Sequence, residues 1–259
     1  MSIVLTEDRG ATRHIVLNRP EKRNALNDEL ILGIRAALEA AAADRDVLCV
    51  VVRGAGPLFS SGMDLAGLAA LAADPERLRE FRRPILDTWN LLEEMAKPTI
   101  CQVHGACIGG AMELALACDL RVMAADAFIG MPETRVGLIP DVGGSSRLPA
   151  VVGLGRAKEL VMTGRMIDGV EAERIGLVNR VAPADELDEA TDALVAELLA
   201  CAPVAVGHAK RVLDAAAKPA LAATLEHEVA VQALCARTED FAEGARAFAE
   251  KRQPAFSGR

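Results

Sequence analysis

The stretch that decides the fold is TICQVHGACIGGAMELALACDL, residues 99–120. Thr99–Val103 is a short, mostly apolar run and reads as a buried strand. His104–Gly110 follows with three glycines, and Gly110–Cys118 then has the composition of a buried helix. A strand that runs through a glycine turn into a helix leaves the first helical N–H groups unpaired. They point at whatever anion approaches. Glu113 falls in the first turn of that helix. There it either complements the helix dipole or serves chemistry beside the turn.

Working outward, the same grammar repeats. Upstream, Leu48–Arg53 is a second buried strand closed by Gly54, and FSSGMDL (59–65) sits in the loop 57–67 after it. Gly62 there permits a turn that most residues cannot make. Ile3–Leu5 and His14–Leu17 pair around Glu7–Gly10. Asn27 caps an alanine- and leucine-rich helix to about Ala43, and Pro75–Met95 is another helix. Downstream, Leu120–Ala124 and Phe128–Met131 are short strands. Helices are expected over about 153–163, 168–175, 184–200, 203–217, 219–236 and 239–250. Strand–helix alternation followed by helices predicts one α/β core with parallel pairing and a helical C-terminal portion.

Two more segments carry polar groups. Met131-Pro132-Glu133 leaves a carboxylate on irregular backbone beside a strand end, a frequent place for catalytic groups and also for solvated ones. Gly137-Leu138-Ile139-Pro140-Asp141-Val142-Gly143-Gly144 places Asp141 where it would cap a following short helix or join the chemistry. Of the four histidines, His104 beside a glycine suits a structural hydrogen bond, and none has ligand spacing.

Composition narrows the class. The chain has 259 residues, 51% hydrophobic and 25% charged, with a net charge of −8. Such a chain buries a sizeable core. Its acidity argues against nucleic acid or an anionic membrane as general partners. An anionic ligand would need local help, and Arg19, Lys22 and Arg23 form a basic cluster that is either a phosphate contact or a solvated run. The six cysteines form no CxxC pair and are expected as free thiols, with no metal site. Apolar runs stop well short of the ~20 residues of a membrane span. No signal peptide is visible, so a cytoplasmic location is expected. No GxxxxGK[ST] or GxSxG pattern occurs, which argues against a P-loop and a hydrolase elbow.

Taken in order, LNRPEKRNALN (17–27), LFSSGMDL (58–65), KPTICQVHGACIGGAMELALACDLRVMAADAFIGMPETRVGLIPDVGGSSRLP (97–149) and FAEGARAFAEKRQPAF (241–256) resemble the crotonase superfamily, the enoyl-CoA hydratases and isomerases. The resemblance implies the crotonase fold: a repeated ββα core over 1–200 and a helical C-terminal oligomerisation region over 201–259. It implies a homotrimer or dimer of trimers, an acyl-CoA thioester as substrate, and no cofactor beyond the coenzyme A of that substrate. By motif position, Met63 and Gly110 supply the N–H groups of an oxyanion hole. Met63, Asp64, Leu65 and Ala66 pass along the thioester, and Lys251 reaches the coenzyme. Glu113 and Glu133 match the two hydratase glutamates.

Two positions depart from the pattern. Ala111 stands where many hydratases have a third glycine. Asp141 stands where typical hydratases carry glycine in IPGAGG, and an aspartate there is similar to dienoyl-CoA isomerases. Three readings follow: an enoyl-CoA hydratase using Glu113 and Glu133, a double-bond isomerase using Glu133 and Asp141, or a binding protein that has lost catalysis.

Overall fold

The computed structural model describes residues 2–64 and 75–259. Strands β1 (Val4–Arg9) and β2 (Thr12–Leu17) form an antiparallel hairpin. From β2 the sheet continues in parallel through β3 (Cys49–Gly54), β4 (Thr99–Val103), β6 (Leu120–Ala124) and β9 (Arg180–Ala182). Parallel neighbours need long crossovers. Helices α1 (Asp28–Ala43), α2 (Pro75–Glu94) and α3 (Gly110–Ala117) lie on those crossovers. Asn27 opens α1 as expected, its side chain accepting the Leu30 N–H at 3.0 Å. β4 is buried along its whole length, which is what an apolar run between two parallel neighbours requires.

A second, smaller sheet sits beside the first. It pairs β5 (Ala106–Ile108) in parallel with β7 (Phe128–Gly130), and β7 antiparallel with β8 (Ile167–Asp168). Isolated parallel bridges extend the pattern, Ser60 with Cys107 and Leu26 with Met63. β2, β3, β4 and β6 are thus each followed by a short extended piece in a second layer and then a helix. This is the repeated ββα core.

Residues 104–109 therefore do not form a plain glycine loop. β5 lies inside them, too short for any periodicity to mark it. A further helix, α4 (Gly144–Val152), opens on Gly-Ser-Ser and contains Pro149, so its composition resembles a turn. Helices α5 (Leu154–Thr163) and α6 (Gly169–Arg174) follow, then α7 (Leu187–Leu199), α8 (Pro203–Ala217), α9 (Leu221–Cys235) and α10 (Glu239–Ala249). One apolar cluster runs from Ile15 on β2 to Val195 on α7. Phe241 of α10 packs with Leu138 in a second, small cluster. Cys49, Cys101, Cys107 and Cys118 are buried free thiols. Among the described residues no single helix is long and apolar enough to cross a membrane.

The link between β2 and the bridge at Leu26 depends on Asn24. Arg23 and Asn24 are both left-handed, with φ of 54° and 51°. Asparagine tolerates that region better than most residues. The Asn24 amide is fully buried. Its Nδ2 donates toward Ala55 O, Leu58 O and Phe59 O at 2.8–3.0 Å, and its Oδ1 accepts the Arg19 N–H at 2.9 Å. His104 adds a bond from Nε2 to Gly56 O at 2.9 Å, the structural role expected of it. Asn24→Ala leaves several buried polar groups without partners. It is expected to lower the unfolding free energy by at least about 2 kcal/mol, measured by urea denaturation, and a loss under about 0.5 kcal/mol would refute the clamp.

Candidate active site

The small sheet is what gathers the site. Segment 59–60 runs along β5, with Phe59 N–H to His104 O at 2.9 Å, Ser60 N–H to Ala106 O at 3.1 Å and Ile108 N–H to Ser60 O at 3.2 Å. On its other side β5 meets β7, and Gly109 N–H donates to Gly130 O at 2.8 Å. Met63, Gly110 and Glu133 each lie only a few residues beyond this three-way contact. Sequence-distant segments therefore converge through backbone hydrogen bonds rather than through side-chain packing.

The same ladder orients two N–H groups. Leu26 N–H donates to Gly62 O at 2.8 Å, and Asp64 N–H donates to Leu26 O at 2.9 Å. In a parallel bridge this turns the N–H of the intervening residue, Met63, to the opposite side. Gly62 lies against the start of α3: a Cβ there would meet Ile108 O at 2.4 Å and Gly110 N at 3.6 Å. Gly110 is the first residue of α3, so its N–H has no intrahelical acceptor. Among the described residues neither Met63 N–H nor Gly110 N–H donates to a backbone carbonyl. Gly109 makes the sharp entry to α3 possible, with φ +56°.

Glu113 is buried, with 2% of its surface exposed. Its Oε1 accepts N–H groups from Val142 at 2.9 Å and Gly144 at 2.8 Å. Glu133 opens a short 3-10 turn (Glu133–Val136), and its Oε2 is buried with no hydrogen-bond partner. Its Oε1 sits 2.6 Å from where a Cβ on Gly109 would be, so the carboxyl lies against the turn that starts α3. Burial first, and then the negative charge of Glu113, push Glu133 up to about 8. Burial also raises Glu113, while its two N–H donors and the guanidinium groups of Arg82 and Arg147 pull it back. The charge of each carboxyl raises the cost of ionising the other. The donors and guanidinium groups oppose the rise at Glu113, and the Glu113 charge adds to it at Glu133.

Asp141 is 6% exposed and forms an ion pair with the buried Arg82 of α2. It does not cap α4, whose N-cap is Gly143 with no side-chain bond. Burial pushes Arg82 down to about 10, opposed by the Glu113 charge. Nothing in the Arg82 region marked it beforehand, since one arginine in a polar helix carries no signal. Glu228 and Arg147 were equally invisible. Glu228 Oε2 accepts Gly143 N–H at 2.8 Å, and Arg147 Nη2 donates to Glu93 Oε2 at 2.9 Å.

The remaining expected residues are placed as follows. Asp64 lies 3.9 Å from Arg19 Nη2. Leu65 and Ala66 lie outside the described residues. Lys251 is exposed just beyond the end of α10, in a left-handed conformation with φ 54°. Of the basic cluster, Arg19 is half-buried and donates to Ala25 O at 2.5 Å, whereas Lys22 and Arg23 are exposed. Among the described residues no group of His, Cys, Asp or Glu is arranged to hold a metal ion.

Two carboxyls near N–H groups that, among the described residues, have no carbonyl acceptor are an arrangement that can move protons on a carbonyl compound. Comparisons with known proteins place that arrangement in a family. A family model described as enoyl-CoA hydratase/isomerase matches residues 7–259. The chain is 36% identical over 259 residues to the putative enoyl-CoA hydratase/isomerase YngF of Bacillus subtilis, covering 99% of this chain and 98% of that one. It is 37% identical over 247 residues to a crotonyl-CoA hydratase of Syntrophomonas wolfei, with 93% of each chain covered. Its fold matches a crystal structure of an enoyl-CoA hydratase/isomerase from Xanthobacter autotrophicus at a TM-score of 0.88, with 36% identity over 96% of this chain and 93% of that one. The chain belongs to the enoyl-CoA hydratase/isomerase family of the crotonase superfamily.

A raised carboxyl has a consequence for stability. From its ordinary value of 4.5 up to about 8, the folded protein holds a proton on Glu133 that the unfolded chain has released. The stability this contributes is full below the lower value and is lost as pH rises through the higher one. Glu133→Gln is therefore expected to gain stability relative to the wild type between about pH 5 and about pH 9. Denaturant unfolding at the two pH values checks this, and a constant difference would contradict the raised carboxyl.

Proposed function

We propose that this chain is a hydratase of a 2-enoyl-CoA thioester. The observation that carries this reading is the pairing of buried Glu113 with Glu133, whose Oε2 is buried without a partner, near the N–H groups of Met63 and Gly110. A thioester makes its β-carbon electrophilic and leaves charge on its oxygen when that carbon is attacked. In this reading the Met63 and Gly110 N–H groups receive that oxygen, in place before charge develops. Ionised Glu113 takes a proton from a water whose oxygen bonds to the β-carbon. The double-bond electrons move onto the thioester oxygen, and the carbonyl re-forms as Glu133 delivers its proton to the α-carbon. The proton on Glu113 then returns to Glu133 through solvent. Each such transfer is worth about 10²–10⁴-fold.

Asp141 bears on the isomerase reading. Its carboxyl is engaged by the buried guanidinium of Arg82 rather than standing free to shuttle a proton. This favours a charge-balancing role for Asp141 and supports the hydratase over the isomerase. The name of the crotonyl-CoA hydratase from Syntrophomonas wolfei supports a short acyl chain for this protein too. In the same reading Met63, Asp64, Leu65 and Ala66 flank the thioester and Lys251 meets the coenzyme. The exposed Val204, Val212 and Leu213 of α8 are apolar surface that a neighbouring subunit of a trimer would cover.

Crotonyl-CoA is expected to lose its conjugated absorbance with this protein. Glu133→Gln is expected to cut turnover at least about 10²-fold while leaving CoA-ester binding intact; near-normal turnover would overturn the two-carboxylate scheme. Asp141→Gly alone strands the buried Arg82 charge and should destabilise the fold by about 3–5 kcal/mol. The double variant Arg82→Leu, Asp141→Gly removes both charges and is expected to retain hydration. Complete loss of hydration in folded double variant, with 3-enoyl-CoA isomerisation present in the wild type, would favour the isomerase instead.

A further inference from the structure

Glu228 of α9 is 4% exposed, and no step above uses it. Each of its oxygens has a donor. Oε2 accepts Gly143 N–H at 2.8 Å, and Oε1 accepts the Ser146 hydroxyl at 2.5 Å. Gly143 is the middle residue of the turn whose neighbours, Val142 and Gly144, both donate to Glu113 Oε1. Three consecutive backbone N–H groups are thus divided between two carboxylates. The left-handed backbone at Gly143, φ +110°, curls the chain so that the outer two N–H groups converge on one oxygen. Arg147 steadies the same turn, its Nη1 donating to Val142 O at 3.4 Å. Further along α9, Gln232 Oε1 accepts Ile139 N–H at 2.9 Å, so this helix grips the 139–144 segment at two points.

We propose that Glu228 is a positioning residue for Glu113: by holding Gly143 N–H from the C-terminal helices, it sets where the two donors of Glu113 stand. The proposal rests on Glu113 acting as the base described above. It ties turnover to the seating of α9, which lies far along the chain from every catalytic group. Burial, and then the nearby Glu113 charge, push Glu228 up to about 7, so a carboxyl is kept here against its own solvation and against a like charge. Its reach, rather than its charge, is what the turn needs.

Three variants separate reach from charge. Glu228→Gln keeps an oxygen at full length for Gly143 N–H. Glu228→Asp keeps the carboxylate but draws it back by one methylene, and Glu228→Leu removes the acceptor. kcat and KM are measured on each folded protein with the 2-enoyl-CoA that the wild type hydrates best, beside Glu113→Gln. The aspartate and leucine variants are expected to lose about tenfold to hundredfold in kcat with KM little changed, the size of effect a small misplacement produces. The glutamine variant is expected to stay within about threefold of wild type. Wild-type kcat in a folded aspartate or leucine variant, or a glutamine variant as poor as they are, overturns the proposal. So does failure of both shortened variants to fold, which would make Glu228 a stability anchor alone. If Glu113→Gln itself turns over normally, the base assignment has failed, and that result is distinct from any failure at Glu228.

Discussion

A carboxylate buried to 2% exposure has to be given donors, and the arrangement around Glu113 follows from that need. Removing a charged group from water is costly unless hydrogen bonds replace the lost solvation. Two N–H groups at 2.9 and 2.8 Å do so, and both belong to one tight turn. The turn must then be held itself. Glu228 on α9 takes its middle N–H, while Arg147 on α4 reaches its carbonyl and is anchored by Glu93 on α2. A polar network spreads from one glutamate across three helices, and each member is tolerable only because the next is in place.

That network also separates the two glutamates chemically. Glu113 has donors and nearby arginines, whereas Glu133 has an orphaned buried oxygen and a negative neighbour. Burial raises both carboxyls; donors and guanidinium groups oppose the rise at Glu113, whereas a like charge adds to it at Glu133. The N–H groups of Met63 and Gly110 are fixed by a bridge and by a helix start, so they cannot turn away to pair elsewhere. Asp141 and Arg82 add a second buried charge pair beside the first carboxylate.

Much of the frame was legible in the chain. Asn27 marked the start of α1 because a short acceptor at an N-cap has one use. The runs at 49–52 and 99–103 marked parallel strands because both faces of such strands are buried. Gly109 and Gly110 before Met112 and Glu113 marked a turn into a helix. What escaped notice was either short or disguised. β5 and β8, with three and two residues, have no period to detect. Asp141 looked like a cap or a proton shuttle, and its arginine partner sits on a helix with no sequence proximity to it.

The sequence by itself determined the local elements, the glycine turns and the pattern that resembles the crotonase superfamily. These depend on neighbours within a few residues, where backbone preference and hydrophobic period act. Only the tertiary structure decided how burial and charge bear on each carboxyl, what Asp141 faces, and that Glu228 holds Gly143. Protonation and pairing depend on burial and on charges brought together across the fold, and no local pattern along the chain encodes those distances.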